Sequence, residues 1–404
     1  MWETKIPINE VREIRARTLA YLGVGAIDKI KDIAQELKGK GVNKVLVVTG
    51  RGSYKRTGVW DHVEPALKAA GLEYALYDQV TPNPTVHEVD AATEIGKKFG
   101  AQAVVAIGGG SPIDAGKSVA ALLKYPDRNA GELYELQFAP EEAVPIVAIN
   151  LTHGTGTEVD RFAVVTIPEK DYKPAIAYDC LYPLYAIDDP QFTVGLSPRQ
   201  TRFVSIDAVN HVIEASTTKV ASPYTALLAM ETVRLVARYL PEALNHPDNL
   251  TARYYLMYAS LIAGISFDNG LLHFTHALEH PLSAVKPDLS HGLGLAMLLP
   301  SVVKAIYPAV PEVLAYVLSP IVPDLKALPA EAERVAKGVE HWLFTLGVTS
   351  KLSDEGYAED DLERLTELAM KTPSLDGLLA MAPIPADRKT VARIYKESLY
   401  PYNA

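Results

Sequence analysis

The run AVVAIGGGSPIDAGKSVAALL, residues 103–123, decides how the first half of the chain is read. Its opening apolar stretch, Ala103–Ile107, predicts a strand covered on both faces. Gly108, Gly109 and Gly110 follow, and Pro112–Leu123 then has helical spacing. Glycines let a backbone take positive φ and approach a ligand closely. Ser111 reads as the helix N-cap, with Pro112 at the first helical position and Asp114 at the third, a Ser-x-x-Asp variant of the capping box. Free amides and the dipole at such a helix start suit a pyrophosphate. The glycine spacing is neither G-x-G-x-x-G nor a P-loop.

Outward from this stretch, Lys44–Thr49, Tyr74–Val80 and Pro145–Leu151 read as further strands, and Asp61–Ala70 and Glu88–Phe99 as helices. Strands spaced by helices of this length imply βαβ units and a parallel sheet. The first of these strands runs into a glycine-rich turn, Gly50–Ser53. A second Gly- and Thr-rich loop, Thr152–Glu158, follows Pro145–Leu151, and ligands of such sheets sit at the carboxyl ends of strands. From about Ser197 the spacing is helical, as in Pro198–Thr218, Pro223–Leu240, Thr251–Phe267 and Gly292–Ile306. The boundary is placed at Asp189-Pro190. The expected fold is an α/β N-terminal domain with a parallel, Rossmann-like sheet (residues 1–189) and an all-α C-terminal domain (residues 190–404).

Composition narrows the function classes. The 404 residues carry a net charge of −10, which argues against non-specific nucleic-acid binding and against docking on an anionic membrane. The single cysteine, Cys180, excludes an intrachain disulfide and a thiolate-rich metal site. The N-terminal residues lack the apolar core of a signal peptide. The best apolar run, Leu293–Val303, contains Pro300 and is about half the ~20 residues a membrane helix needs. A cytoplasmic protein acting on small molecules is expected, without nucleic-acid or membrane partners.

Histidines are concentrated in the second half, where six of the ten lie from His211 to His291. Asp207 and His211 are four apart in a helical run, and so are His276 and His280, which puts each pair on one helix face. His291 opens another helix. One carboxylate and two or three imidazoles from three segments suit a divalent metal. Spacing does not decide between His276 and His280 as the ligand. His273 is assigned no role, and Glu214, one turn past His211, reads as a solvated glutamate, with a supporting position behind the metal ligands as the alternative.

Taken together, GGGSPIDAGK (108–117), THGTGTEVD (152–160), DAVNH (207–211), HALEHPL (276–282) and SHG (290–292) resemble the iron-containing alcohol dehydrogenase family in order and separation. The resemblance implies a dinucleotide-binding α/β domain, a helical domain, and a metal and nicotinamide in the cleft between them. By position, the implied metal ligands are Asp207, His211, His276 and His291, with His280 as a proton relay or as support for the ligands. Gly109, Gly110, Ser111 and Asp114 match the pyrophosphate segment, Thr152, Thr155 and Lys173 match cofactor contacts, and Asn83 and Pro84 match an adenine-side loop. Many NAD-using members carry Asp where this chain has Gly50. Here Arg51, Gly52, Ser53, Lys55 and Arg56 follow instead, which favours a 2′-phosphate and hence NADP(H) over NAD(H).

The expected reaction is hydride transfer between NADP(H) and a primary alcohol or aldehyde beside Fe(II), with Zn(II) the alternative metal and a homodimer or larger assembly implied. The competing readings are a polyol oxidoreductase of the glycerol dehydrogenase kind and a non-catalytic nucleotide- and metal-binding protein. A dehydroquinate-synthase-like lyase would need a row of cations for a phosphorylated substrate, and the site segments offer little beyond Lys286.

Overall fold

The computed structural model describes residues 2–5 and 9–402. Among these, strands β1 (Leu19–Leu22), β2 (Lys44–Gly50), β3 (Glu73–Val80), β4 (Ala103–Gly108), β5 (Ile146–Asn150) and β8 (Tyr185–Asp188) form one sheet in the order β1-β8-β5-β4-β2-β3. Every pairing in it is parallel. Two short strands, β6 (Phe162–Val164) and β7 (Ala175–Ala177), make a separate antiparallel pair.

Side chains alternate across a strand, and both faces of this sheet are covered. Leu46 and Val48 of β2, Val104 and Ala106 of β4, and Ile146 and Ala148 of β5 pack into one core. Helices α3 (Val86–Phe99) and α4 (Gly110–Leu122) contribute Val89, Ala92, Ile113 and Val119 to it. Val45, Val47, Val105, Ile107, Val147 and Ile149 face the other way, against Ile30, Ile33 and Leu37 of α1 (Lys29–Gly39) and Val63 and Leu67 of α2 (Trp60–Ala69). Two-sided burial is why these strands are apolar without interruption. Helix α4 lies close on the sheet: a Cβ on Gly116 would sit 2.7 Å from the Ala106 Cβ.

Strands β1, β6 and β7 are absent from the sequence reading. β1, at the sheet edge, is apolar throughout as LAYL but only four residues long, and so short a run does not distinguish strand from helix. Its pairing with β8 is what makes it a strand.

The second half contains α5 (Pro198–Ala215), α6 (Pro223–Asn245), α7 (Leu250–Gly270), α8 (Phe274–Val285) and α9 (His291–Ile306), followed by shorter helices up to Glu397. One compact unit comprises Ala16–Ser197 with His246–Leu261, and the remaining described chain forms the other. The division read at Asp189-Pro190 falls just after β8, where Asp189 caps a short 3-10 turn. Among the described residues no helix is long and apolar enough to cross a membrane.

Candidate active site

In the sheet unit, β5, β4 and β2 are neighbours, so the loops at their carboxyl ends are adjacent. These carry Thr152–Thr155, Gly108–Gly110 and Gly50–Ser53 respectively. Two of the loops pack tightly on each other: a Cβ on Gly109 would sit 2.8 Å from Thr152 Oγ1, and one on Gly110 2.8 Å from Thr155 Cγ2. Gly108 has φ 151°, and a Cβ there would meet Pro112. Gly109 and Gly110 are therefore required by the protein's own second loop, and Gly108 by its positive φ and by Pro112. Thr155 Oγ1 is buried without a hydrogen-bond partner beside the start of α4, where the first amides have no carbonyl within the helix. A polyoxygenated anion fits that combination of orphaned donors.

The helix start itself differs from the sequence reading. The N-cap is Gly109 in extended conformation, the helix begins at Gly110, and no side chain caps it. Ser111 thus lies inside the first turn. Asp114 turns away, accepting from Thr157 Oγ1 at 2.6 Å and from the Val164 amide at 2.9 Å. With glycine at the cap position no side chain satisfies the first amides, and Asp114 instead secures the segment after the second loop. Burial pushes the Asp114 carboxyl up, against the pull of Lys117 and Lys173.

Lys117 is the residue sequence reasoning missed here. It is fully buried, and its ammonium donates to Thr157 Oγ1, the Asp160 carbonyl, Asp160 Oδ1 and the Phe162 carbonyl at 2.7–3.0 Å. The signal was a lone Lys within the apolar run AGKSVAALL. Glu158 and Asp188 are also fully buried, and burial raises both carboxyls, Asp188 to about 7.

The remaining predicted positions of this unit are placed as follows. Gly50 sits at a register shift of β2, with a Cβ there 3.3 Å from the Val80 carbonyl. Ser53 opens a helical turn, Ser53–Arg56, rather than closing a loop, because Tyr54 is buried and its hydroxyl donates to Asp78 at 3.2 Å. Arg51, Lys55 and Arg56 are exposed, and no acidic partner of theirs is found among the described residues, while Arg56 folds back over Gly52. Asn83 takes φ 54°, and the Pro84 carbonyl accepts from the Thr166 amide just before Thr85 caps α3. Lys173 is buried ahead of β7.

In the helical unit the histidine cluster forms. Asp207 Oδ1 lies 3.5 Å from His211 Nε2, 3.5 Å from His276 Nε2 and 3.9 Å from His291 Nε2. Two atoms bound at ~2.1 Å to a tetrahedral ion stand about 3.4 Å apart, so these are the spacings of co-ligands. Asp207 Oδ1 and His276 Nε2 are buried without a hydrogen-bond partner, an arrangement that costs free energy unless something positive sits between them. Asp207, His276 and His291 have ligand atoms within 4.8 Å of one another, a group His211 does not join, and so does an overlapping group of Glu279, His280 and His291. The donor set fits a divalent ion.

The local sequence explains the placement. α5 is buried almost throughout from Thr201, so Asp207, His211 and Glu214 all point into protein. Glu214 is fully buried, contrary to the solvated position expected from its sequence: its Oε1 accepts from the Thr275 amide at 2.5 Å, and its Oε2 accepts from His276 Nδ1. Glu279 Oε2 is bonded to His291 Nδ1. His273 caps α8 by accepting from the Phe274 amide at 2.7 Å, and its other nitrogen meets Thr217 Oγ1 at 2.9 Å, a structural role. Phe267 stacks on His211 with ring centroids 4.4 Å apart. Lys286, the one cation near these segments in sequence, donates to the Glu355 and Gly356 carbonyls.

Electrostatics follow from burial and pairing. Burial pushes His211 and His273 down to about 4. Burial also acts downward on His276, but the Glu214 and Asp207 carboxylates outweigh it and hold the ring up at about 9. Burial acts upward on Glu214, yet His276 and His273 draw it to about 2. Asp207 is likewise lowered, with His211, His276 and His291 overcoming its burial.

Comparison with known proteins gives this arrangement a family. The pattern described as iron-containing alcohol dehydrogenase matches residues 18–190, and its C-terminal counterpart matches residues 203–399. The chain is 66% identical to a long-chain primary alcohol dehydrogenase of Thermoanaerobacter ethanolicus, covering 98% of this chain and 100% of the relative. This chain is an iron-containing alcohol dehydrogenase. Other relatives of this alcohol dehydrogenase include a 1,3-propanediol dehydrogenase of Klebsiella pneumoniae, 33% identical over 94% of this chain and 96% of the relative. Among solved structures, an NADH-dependent butanol dehydrogenase from Thermotoga maritima superposes with a TM-score of 0.88 at 29% identity, covering 97% of this chain and 99% of that one. Family membership implies a metal ion and a nicotinamide cofactor.

Proposed function

We propose that this alcohol dehydrogenase interconverts primary alcohols and aldehydes with NADP(H), at an Fe(II) ion held by Asp207, His211, His276 and His291. The observation that carries the reading is the cluster around Asp207 Oδ1, with its spacings and orphaned buried atoms. When bound, the metal supplies Lewis acidity to the alcohol or carbonyl oxygen and the nicotinamide accepts or gives the hydride. The relative named for long-chain primary alcohols supports the substrate class. Three imidazoles, one carboxylate and no thiolate suit Fe(II), with Zn(II) as substitute.

The chain's own residues bind, orient and exclude water. The Gly109–Gly110 cradle, Ser111 and the unpaired Thr155 hydroxyl receive the pyrophosphate, with Thr152 alongside. Arg51, Lys55 and Arg56, lacking acidic partners among the described residues, meet the 2′-phosphate beside Gly50, Gly52 and Ser53. Asn83, Pro84 and Lys173 border the same unit's loops, while Asp114 acts through Thr157 and Val164. Phe267 and the helix packing keep the ligand set dry. An imidazole nitrogen of His280 holds the proton that leaves or joins the substrate oxygen. A cytoplasmic homodimer or larger assembly, with cofactor residues before about position 189 and metal residues after it, completes the reading.

The test is anaerobic oxidation of NADPH and NADH with butanal, before and after chelation and Fe(II) or Zn(II) readdition. Activity preferring NADPH by about tenfold or more, restored by metal, is expected, since one charged hydrogen bond contributes about 1.5–3 kcal/mol. Preference for NADH removes the 2′-phosphate reading and leaves the enzyme class standing. Activity that survives complete metal removal overturns the metal assignment.

A further inference from the structure

We infer that Glu214 and Glu279 are positioning residues that set two of the three imidazole ligands, each from the helix that carries the preceding ligand. The inference rests on the metal reading above. Helix α5 carries Asp207 and His211, and one turn later Glu214 reaches His276 Nδ1 on α8. Helix α8 in turn carries Glu279, which reaches His291 Nδ1 at the first position of α9. The first two ligand-bearing helices thus each brace the one that follows.

An ionised carboxylate only accepts, so each of these Nδ1 atoms carries a hydrogen, and the proton a bound metal displaces is the one on Nε2, whose lone pair it takes. Those are the two Nε2 atoms that face Asp207 Oδ1. His211 is held differently: its Nδ1 is buried with no hydrogen-bond partner, and its ring is sandwiched by Phe267 at 4.4 Å and His276 at 4.6 Å. Charge therefore orients two imidazoles, and stacking orients the third. Hydrogen-bonded carboxylates behind a ligating histidine fix the ring and raise its basicity.

The two glutamates are not equivalent. Both oxygens of Glu214 face donors, Oε1 the Thr275 and His273 amides and Oε2 the His276 ring. A glutamine there must turn its NH2 toward a donor on one side. At Glu279 a glutamine can keep its carbonyl on His291 Nδ1 while losing the charge. A third handle touches no ligand: a Cβ on Gly294 would sit 2.7 Å from Glu279 Cγ and 2.9 Å from Oε1. Alanine favours a helix interior more than glycine does, so Gly294→Ala displaces the carboxylate without weakening α9 intrinsically.

The experiment uses Co(II) as probe on the full chain freed of metal, with affinity from chelator competition and geometry from the visible d–d spectrum. Melting without metal serves as the control for folding. Glu214→Gln is expected to lose about 10- to 100-fold in Co(II) affinity with a changed spectrum. Glu279→Gln and Gly294→Ala should lose less, with metal-free melting close to wild type. Wild-type affinity and spectrum in Glu279→Gln and Gly294→Ala would overturn the inference, whatever Glu214→Gln does to folding. A wild-type chain that binds no Co(II) would instead bring down the metal reading and this inference with it.

Discussion

The two units solve the problem of holding a charged ligand in opposite ways. In the sheet unit, the charged side chains of the helix behind the Gly108–Gly110 turn are directed inward and satisfied by protein: Lys117 by four oxygens, Asp114 by Thr157 and Val164. What faces outward is backbone, shaped by two loops packed on each other. In the helical unit, the side chains themselves converge, and buried ligand atoms are left unpaired. A dinucleotide is long and hydrogen-bonds to many amides, so a rigid backbone cradle suffices. A small ion needs a few strong donors at fixed separations, and these need their own bracing. The difference teaches that charge in a site segment can belong to the scaffold rather than to the ligand.

The strongest way to break this contrast is Asp207→Ala. If the helical unit works through its side chains, the variant should lose bound metal and about a thousandfold or more in kcat/KM, several kcal/mol of transition-state stabilisation. Metal analysis beside steady-state rates checks it, and near-normal metal content would contradict the site. Lys117→Met asks the reverse question of the sheet unit. It leaves the fully buried Asp160 without its cation, and such breaks cost about 3–5 kcal/mol. Denaturation should show that loss, and a variant as stable as the parent would show that Lys117 is not scaffold.

Gly110→Ala sharpens the comparison at smaller scale. Its Cβ would press on Thr155 Cγ2, and about a tenfold rise in KM for the cofactor is expected, roughly 1.4 kcal/mol, with metal content unchanged. Adding Thr155→Ser removes that methyl. Recovery in the double variant would show that loop packing requires the glycine, whereas persistent weakness would assign the requirement to the ligand's close approach.

The smallest expected effect is a slope. Asp188 is raised from 3.8 to about 7 by burial, so its neutral form is favoured in the folded chain. The associated stability is fully present below pH 3.8 and is lost as pH rises through about 7. Asp188→Asn should therefore flatten the decline in melting temperature across that window relative to wild type. Parallel curves for the two proteins would mean that Asp188 is ionised in the fold.

Much of this was readable in advance because the central strands announce themselves. β2, β4 and β5 are buried on both faces, and nothing polar interrupts them. Edge strand β1 and the β6–β7 pair were not, since a short, partly exposed strand is defined by its partner and has no pattern of its own. Asp207 and His211 were legible as a pair because their gap follows the helical repeat, whereas the choice of His276 over His280, and with it the full set with His291, came only from the family resemblance. His273 and His276 have equally suggestive spacing, and only the cap geometry at Phe274 separates a structural histidine from one facing Asp207.

The sequence by itself determined the layered sheet, the glycine turn at its centre, the helical second half and the residue types that converge on Asp207. Periodicity and backbone chemistry are local, and they survive without knowledge of neighbours. Tertiary structure alone decided that Ser111 does not cap α4, that Lys117 and Asp114 serve the scaffold, and that Glu214 and Glu279 lie behind imidazoles rather than in water. A carboxylate reads the same in sequence whether it is solvated or buried. Its role is fixed by which helix covers it and which nitrogen it meets, and those are distances set between elements far apart in the chain.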